Sequence, residues 1–337
     1  MNNAHASFER NLKTMRNIIC SLCILLSAAS FAGAQEAQEP PAPGTTLKVT
    51  SEVVNVYAVV RGKDKRLIPD LTKTDFQLEE DQQPQVIKYF SRATDTPLTM
   101  GILVDTSPSQ GRVLDVEKRE AEAFLEQVMR PKDLTFVLHF DVDVELLQDF
   151  TADLHLLNKA IDETEINGGG VRTRGTFPSG DAGGATHLYD AVYLAAHDLL
   201  KNEVGRKVLI LLTDGEDQGS RVRLESALEA AQKSDVIIYS IDISDEAFYA
   251  RGGMSYGGGA VLQKFSGETG GRVIQVKNES ETSLAFQHIA NELRTQYLLG
   301  YTPTNTKLDG TFRKISVKVP NRDAKVNARR GYYAPTG

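Results

Sequence analysis

Three short stretches of the 337-residue chain place oxygen-bearing side chains where an apolar run ends. "GILVDTSPSQ" closes on Asp105, Ser107 and Ser109, "VLILLTDGED" closes on Asp214 with Glu216 and Asp217 beyond it, and "GGATHLYDAV" sets Thr186 at the start of a helical pattern. Taken singly, each is an ordinary strand end, because Asp, Ser and Pro are common turn residues. Together they deliver two carboxylates and three hydroxyls, all hard oxygen donors with no His or Cys among them. Such a set suits Mg²⁺, Mn²⁺ or Ca²⁺ and disfavours zinc or copper. Few charged ligands and several neutral hydroxyls leave a cation incompletely neutralised, able to accept an outside carboxylate from a partner protein. A degenerate version of the site, no longer binding metal, fits the same residues. Nothing near these positions pairs a nucleophile with a general base.

The elements that must hold these residues are legible in the texture of the chain. From Pro97 onward, apolar runs ("LTMGILVD", "DLTFVLHF", "VLILLTDG", "DVIIYSID", "RVIQV") alternate with helix-length amphipathic segments ("VEKREAEAFLEQVM", "ADLHLLNKAIDE", "HLYDAVYLAAHDLL", "ESALEAAQ", "LQKFSGE", "SLAFQHIANELRTQ"). This alternation predicts an α/β, doubly wound, mainly parallel sheet covered on both faces. "VELLQDF" reads as its one antiparallel partner. In such sheets ligands bind where the carboxyl ends of the strands converge, and that is where the five oxygen donors fall. The flanks read differently. "LKVTSEVVNVYAVVRG" and "DFQLEEDQQPQVIKYFS", two short runs around a polar turn with Pro84, form an N-terminal β segment over 47–96; "YLLGY", "FRKISVKV" and "AKVNARRGYYA" form a C-terminal one over 297–335. Neither can cover its own apolar face, so the expectation is one small β domain built from both flanks, with residues 97–296 inserted between them.

The pattern D-x-S-x-S, a Thr after a Gly-rich loop, and "TDGED" resemble the metal-ion-dependent adhesion site of von Willebrand factor A domains, whose sheet is Rossmann-like. The resemblance implies that Ser107, Ser109 and Thr186 bind the ion through hydroxyl oxygens, while Asp105 and Asp214 bind directly or through water. From Leu47 to Pro335 the arrangement also resembles the A-related domain family described in acidobacteria, with a similar β segment before the A domain and a similar tail after it. One departure is Pro108-Ser109-Gln110, where relatives more often carry Gly-Ser-Met.

Residues 1–34 read as a signal peptide. Arg10, Lys13 and Arg16 precede an apolar run from Ile18 to Ala29, and Ala32-Gly33-Ala34 is a small-x-small cleavage pattern. The run is about a dozen residues, short of the roughly 20 a membrane helix needs; Met15 is an alternative start. Cleavage would remove Cys20 and Cys23, the only cysteines, together with three of the 38 basic and one of the 45 acidic residues, leaving a balance of −9. A chain so acidic has no electrostatic case for nucleic acid or an anionic membrane, and export to the periplasm or outside the cell follows. Residues 35–46, "QEAQEPPAPGTT" with its Pro and small polar residues, read as an extended linker.

Other motifs are weaker. "GMSYG" matches the G-x-S-x-G elbow of α/β hydrolases, but Ser255 lacks the strand before and the helix after that an elbow needs. His139 and His187 lie near the rim as neighbours rather than ligands, Arg172 and Arg174 belong to a solvated Gly-rich loop, and Asn278-Glu279-Ser280 is a glycosylation sequon by pattern alone. The expected function is an exported, cation-dependent, adhesion-type protein-binding module and not an enzyme. The alternatives are a structural or assembly A domain that works without metal and, more remotely, a serine hydrolase at Ser255.

Overall fold

A computed structural model describes residues 53–92, 96–167, 186–243, 257–320 and 322–337, all within one compact unit. The expected leader (1–34) and linker (35–46), positions 47–52, and the Gly-rich insertions holding Arg172, Arg174 and Ser255 lie outside the described residues.

The N-terminal flank supplies four strands: β1 (Val54–Gly62), β2 (Gln77–Glu80), β3 (Gln83–Gln85) and β4 (Ile87–Arg92). The turn between β2 and β3 is made by Asp81 and Gln82, both with positive φ, as a two-residue hairpin requires. Pro84, expected in the turn, instead lies within β3. It is tolerated there because β3 is an edge strand that has no second neighbour to receive an N–H.

The next strands are β5 (Leu98–Asp105), β6 (Leu134–Phe140), β7 (Val144–Thr151), β8 (Arg206–Thr213), β9 (Val236–Asp242) and β10 (Val273–Gln275). They form one six-stranded sheet in the order β10-β9-β8-β5-β6-β7, parallel throughout except for β7, which runs antiparallel to β6. Every residue of β5 and β9 is buried, as strands covered on both faces must be. On one face, Met100, Ile102, Val208 and Ile210 pack against α1 (Leu114–Val128), α2 (Leu154–Asp162) and α6 (Glu279–Thr295). On the other, Leu103, Leu209 and Leu211 meet α3 (Leu188–Leu194), which continues as a π-turn over Ala195–Leu200, with α4 (Leu224–Lys233) and α5 (Gly258–Thr269). Each of these aliphatic side chains, fully buried, contributes about 1.5–3 kcal/mol. Asn278 of the sequon caps α6, its side chain accepting the Glu281 amide.

The C-terminal flank adds β11 (Tyr297–Tyr301), β12 (Phe312–Lys318), β13 (Ala324–Ala328) and β14 (Gly331–Tyr333). These interleave with the first four strands in two antiparallel sheets, β13-β1-β11-β4 and β14-β12-β2-β3. One apolar core serves both, joining Val56, Ala58 and Phe76 of the first flank to Tyr297, Leu299, Ile315 and Tyr332 of the second. The run "AKVNARRGYYA" is therefore two strands in two sheets. It breaks at Arg329 and Arg330, where the Arg330 amide turns aside to donate to the Glu268 carbonyl. The inserted α/β part leaves after β4 and returns at β11, and Arg92 and Tyr297 are direct partners across that pair.

Candidate metal centre

Strand β5 ends on Asp105, whose carboxylate is fully buried. Its Oδ1 accepts the Ser107 amide at 2.9 Å and its Oδ2 accepts the Thr213 hydroxyl, from the end of the adjacent β8, at 2.6 Å. Pro108–Gln110 then form a single 3-10 turn that folds the chain back, bringing the Ser107 and Ser109 hydroxyls to 3.0 Å. Asp214, one residue past β8, holds the Glu216 amide at 3.1 Å through Oδ1. Its Oδ2 accepts the side-chain amide of Gln110 at 3.0 Å, and that amide lies 3.3 Å from Ser109 Oγ. The first two stretches thus meet directly.

Thr186 reaches the same end of the sheet by backbone bonds. It exchanges two with Gln218, four residues beyond Asp214. The next amide, His187 N, donates to the Asp141 carbonyl at 2.8 Å. Asp141 is buried just past β6 and in turn accepts the hydroxyl of Thr106, the neighbour of Asp105, at 2.7 Å, and the Asn167 side-chain amide at 3.2 Å. Helix α3 begins at Leu188, two residues after Thr186 rather than on it. His139, expected as a neighbour, lies 3.1 Å from the Thr106 hydroxyl through Nδ1.

The acidic run "TDGED" divides its labour. Only Asp214 belongs to the oxygen cluster. Glu216 receives the Gly257 and Gly258 amides at the start of α5, and Asp217 receives the Tyr189 amide at the start of α3, so both carboxylates sit at helix N-termini, where negative charge is favourable.

Three buried residues at or near this end of the sheet escaped the sequence reading: Asp141, Gln110 and Glu117. Asp141 follows an apolar run, the same signal that marked Asp105. Gln110 was visible only as a departure from the family pattern. Glu117 lies in the first turn of α1 on the same side as Leu114, Ala121, Phe124 and Leu125, and is 1% exposed. Burial pushes the Glu117 carboxyl well above its ordinary pKa, with Asp105 and Asp214 adding to the effect. Burial, followed by the Asp214 charge, likewise pushes Asp105 up to about 7.

The donor set fits a hard divalent cation. Two buried carboxylates and the Ser107–Ser109 hydroxyl pair converge, with Thr186 tied to the same rim. The buried side-chain atoms left without a hydrogen-bond partner at this end, Gln110 Oε1 and both Glu117 oxygens, are all acceptors. Acceptors without donors are what a cation satisfies. Among the described residues no group of three or more His, Cys, Asp and Glu side chains is placed to hold a metal, so an ion here would depend on the hydroxyls as well as the two carboxylates.

Comparison with known proteins finds one family model and several remote likenesses. The model of the von Willebrand factor type A domain matches residues 100–216, which span the D-x-S-x-S stretch, Thr186 and Asp214. An uncharacterized protein of Borreliella burgdorferi is 24% identical over 241 residues, covering 66% of this chain; the chain spans 62% of that relative's length. Among solved structures, a proximal thread matrix protein of the mussel byssus, with a zinc-occupied MIDAS motif, aligns with a TM-score of 0.48 at 15% identity, over 64% of this chain and 50% of that one. BatB of Bacteroides thetaiotaomicron aligns with a TM-score of 0.43 at 15% identity, over 58% of this chain and 98% of that one. With its strand order, its helices on both faces and its D-x-S-x-S turn at the carboxyl end of β5, the segment 100–216 of this chain is a von Willebrand factor type A domain.

Proposed function

We propose that the chain is an exported protein-binding module that recognises an acidic side chain of a partner protein through a divalent cation, Mg²⁺, Mn²⁺ or Ca²⁺, held at the carboxyl end of the central sheet. The observation that supports it most is the gathering of the buried Asp105 and Asp214 carboxylates and the Ser107–Ser109 hydroxyl pair at one end of the sheet, where Gln110 links Asp214 to Ser109. Ser107, Ser109 and Thr186 would hold the ion through neutral oxygens, with Asp105 and Asp214 bound directly or through water. Bound there, the ion supplies a Lewis-acidic position that an outside carboxylate fills. The protein's part is to fix the hydroxyls: Thr213 clamps Asp105, the turn Pro108–Gln110 aligns Ser107 with Ser109, and the Asp141 carbonyl holds the chain just after Thr186. Export rests on the leader pattern of residues 1–34; among the described residues no helix is long and apolar enough to cross a membrane. The kinship with the acidobacterial A-related family belongs to the same proposal, resting on the paired β flanks.

Calorimetric titration with Mg²⁺ and Mn²⁺ tests the reading. The parent should bind one ion, and Asp105→Ala or Asp214→Ala should abolish binding while leaving the fold intact. Variants that bind as tightly as the parent place the ion elsewhere. Retention of an envelope protein that is lost on adding chelator and regained with Mg²⁺ would identify the partner.

Gln110 favours a second reading. Its side-chain amide already bridges Asp214 Oδ2 and Ser109 Oγ, tying the cluster together without an ion. A structural A domain that works without metal would show no heat of binding with either cation.

A further inference from the structure

Glu117 is a buried carboxylate that the fold does not explain. It occupies a position of the α1 stripe where Leu would pack, between Leu114 and Ala121, and is buried among them. Neither of its oxygens meets a donor. A buried carboxyl group in that condition weakens the fold whether it is charged or neutral, and an apolar residue of the same size would avoid the cost.

Its surroundings supply a reason. From the Ser107–Gln110 turn the chain steps to Glu117 by two backbone bonds, Val113 N to Gln110 O and Glu117 N to Val113 O, each 3.0 Å. Glu117 therefore stands on the helical turn that follows the hydroxyl pair directly. The charges that act on it are those of Asp105 and Asp214. Gln110, whose carbonyl accepts the Val113 amide on that path, has its own unpartnered acceptor in Oε1.

We propose that Glu117 is an additional carboxylate of the cation centre, accepting hydrogen bonds from water carried by the ion. This rests on the cation reading above and adds a specificity to it. A buried carboxylate that needs a water molecule between itself and the ion rewards cations that keep part of their hydration. Mg²⁺ and Mn²⁺ are therefore preferred over Ca²⁺, which exchanges water for protein oxygens more readily.

The test uses Mn²⁺ as probe on the purified chain and two variants of matched size, Glu117→Gln and Glu117→Met. Without metal, both variants should melt at or above the parent temperature, because an unpaired buried carboxyl has been removed. Calorimetry should show Mn²⁺ affinity falling about 10- to 100-fold in both, the usual loss when a group supporting a metal ligand shell is removed. Variants binding Mn²⁺ within about threefold of the parent overturn the proposal while leaving the cation reading standing. Metal-free melting points that fall in both variants assign Glu117 to holding the fold and overturn it too. A parent that binds no Mn²⁺ defeats both readings.

Discussion

Gly258, at the start of α5, faces the Asp214 carbonyl so closely that a Cβ there would collide with it, and with the backbone of Gly215, whose own φ is +81°. Gly258→Ala should therefore cost about 1–3 kcal/mol by overpacking, read in urea unfolding, and should weaken Mn²⁺ binding by displacing Asp214. Protons provide a second measure of the same cluster. Asp105 and Glu117 both have pKa values raised above their ordinary range in the folded, metal-free protein, so across the interval from about pH 4 to about 7 the folded state holds protons that the unfolded state has released. Stability from these groups is complete below their unfolded pKa and is lost as pH rises, for Asp105 toward about 7. Unfolding free energy without metal should thus be lower at pH 7.5 than at pH 5, and saturating Mg²⁺, which displaces the same protons, should remove the difference. A flat metal-free profile would count against the buried carboxylate cluster. That Asp105, Ser107, Ser109 and Asp214 fall at one end of the sheet was legible because strand ends advertise themselves, and Thr186 because a helical pattern starts beside it. Glu117 could not, since in "VEKREAEAFLEQVM" one more acidic residue among so many charges reads as solvated surface until its spacing from Leu114 and Ala121 is counted.

Among the elements, β2 does more than its four residues suggest. Glu80 accepts the Tyr301 hydroxyl of β11 at 2.7 Å and the Tyr332 hydroxyl of β14 at 2.9 Å, with Arg313 of β12 at 3.6 Å, all buried. It ties one antiparallel sheet to the other. Glu80→Ala should cost about 3–5 kcal/mol, because it leaves the buried Arg313 guanidinium without its countercharge and two buried hydroxyls without their acceptor; Glu80→Gln keeps an acceptor and should cost less. Thermal melts of the two variants check the order. The long parallel strands could be placed from sequence almost to the residue, β5 at its full length, because an apolar run bounded by polar residues fixes both ends. The short strands could not. Alternation alone does not reveal that "AKVNARRGYYA" changes sheets at Arg329, nor that Asp81 and Gln82 turn with positive φ while Pro84 lies on an edge, since those choices depend on contacts with Glu268 and Lys314 far along the chain.

At the scale of the whole molecule, β11 is an inner member of its four-stranded sheet, with β1 on one side and β4 on the other. Ending the chain after Gln296 removes β11 through β14 and should leave residues 53–92 open to protease. The six-stranded sheet, whose strands and α6 all precede that point, should stay folded. Limited proteolysis with mass analysis reads both outcomes at once, and protection of 53–92 in the shortened chain would show that the flanks are independent. The register of β4 against β11 carries a last consequence. Because Arg92 faces Tyr297 directly, the whole A domain occupies the place of a turn between two neighbouring antiparallel strands. While it is folded, its two ends are held close and it closes the ladder as cheaply as a few residues would. Once it melts, the same junction is spanned by a slack tether of about 200 residues, and loop-closure entropy, at roughly 0.6 kcal/mol per doubling of length, charges the β pair about 3 kcal/mol. The converse is a deletion: Arg92 joined to Tyr297 through Asn-Gly should yield a small β protein that folds with no A domain at all.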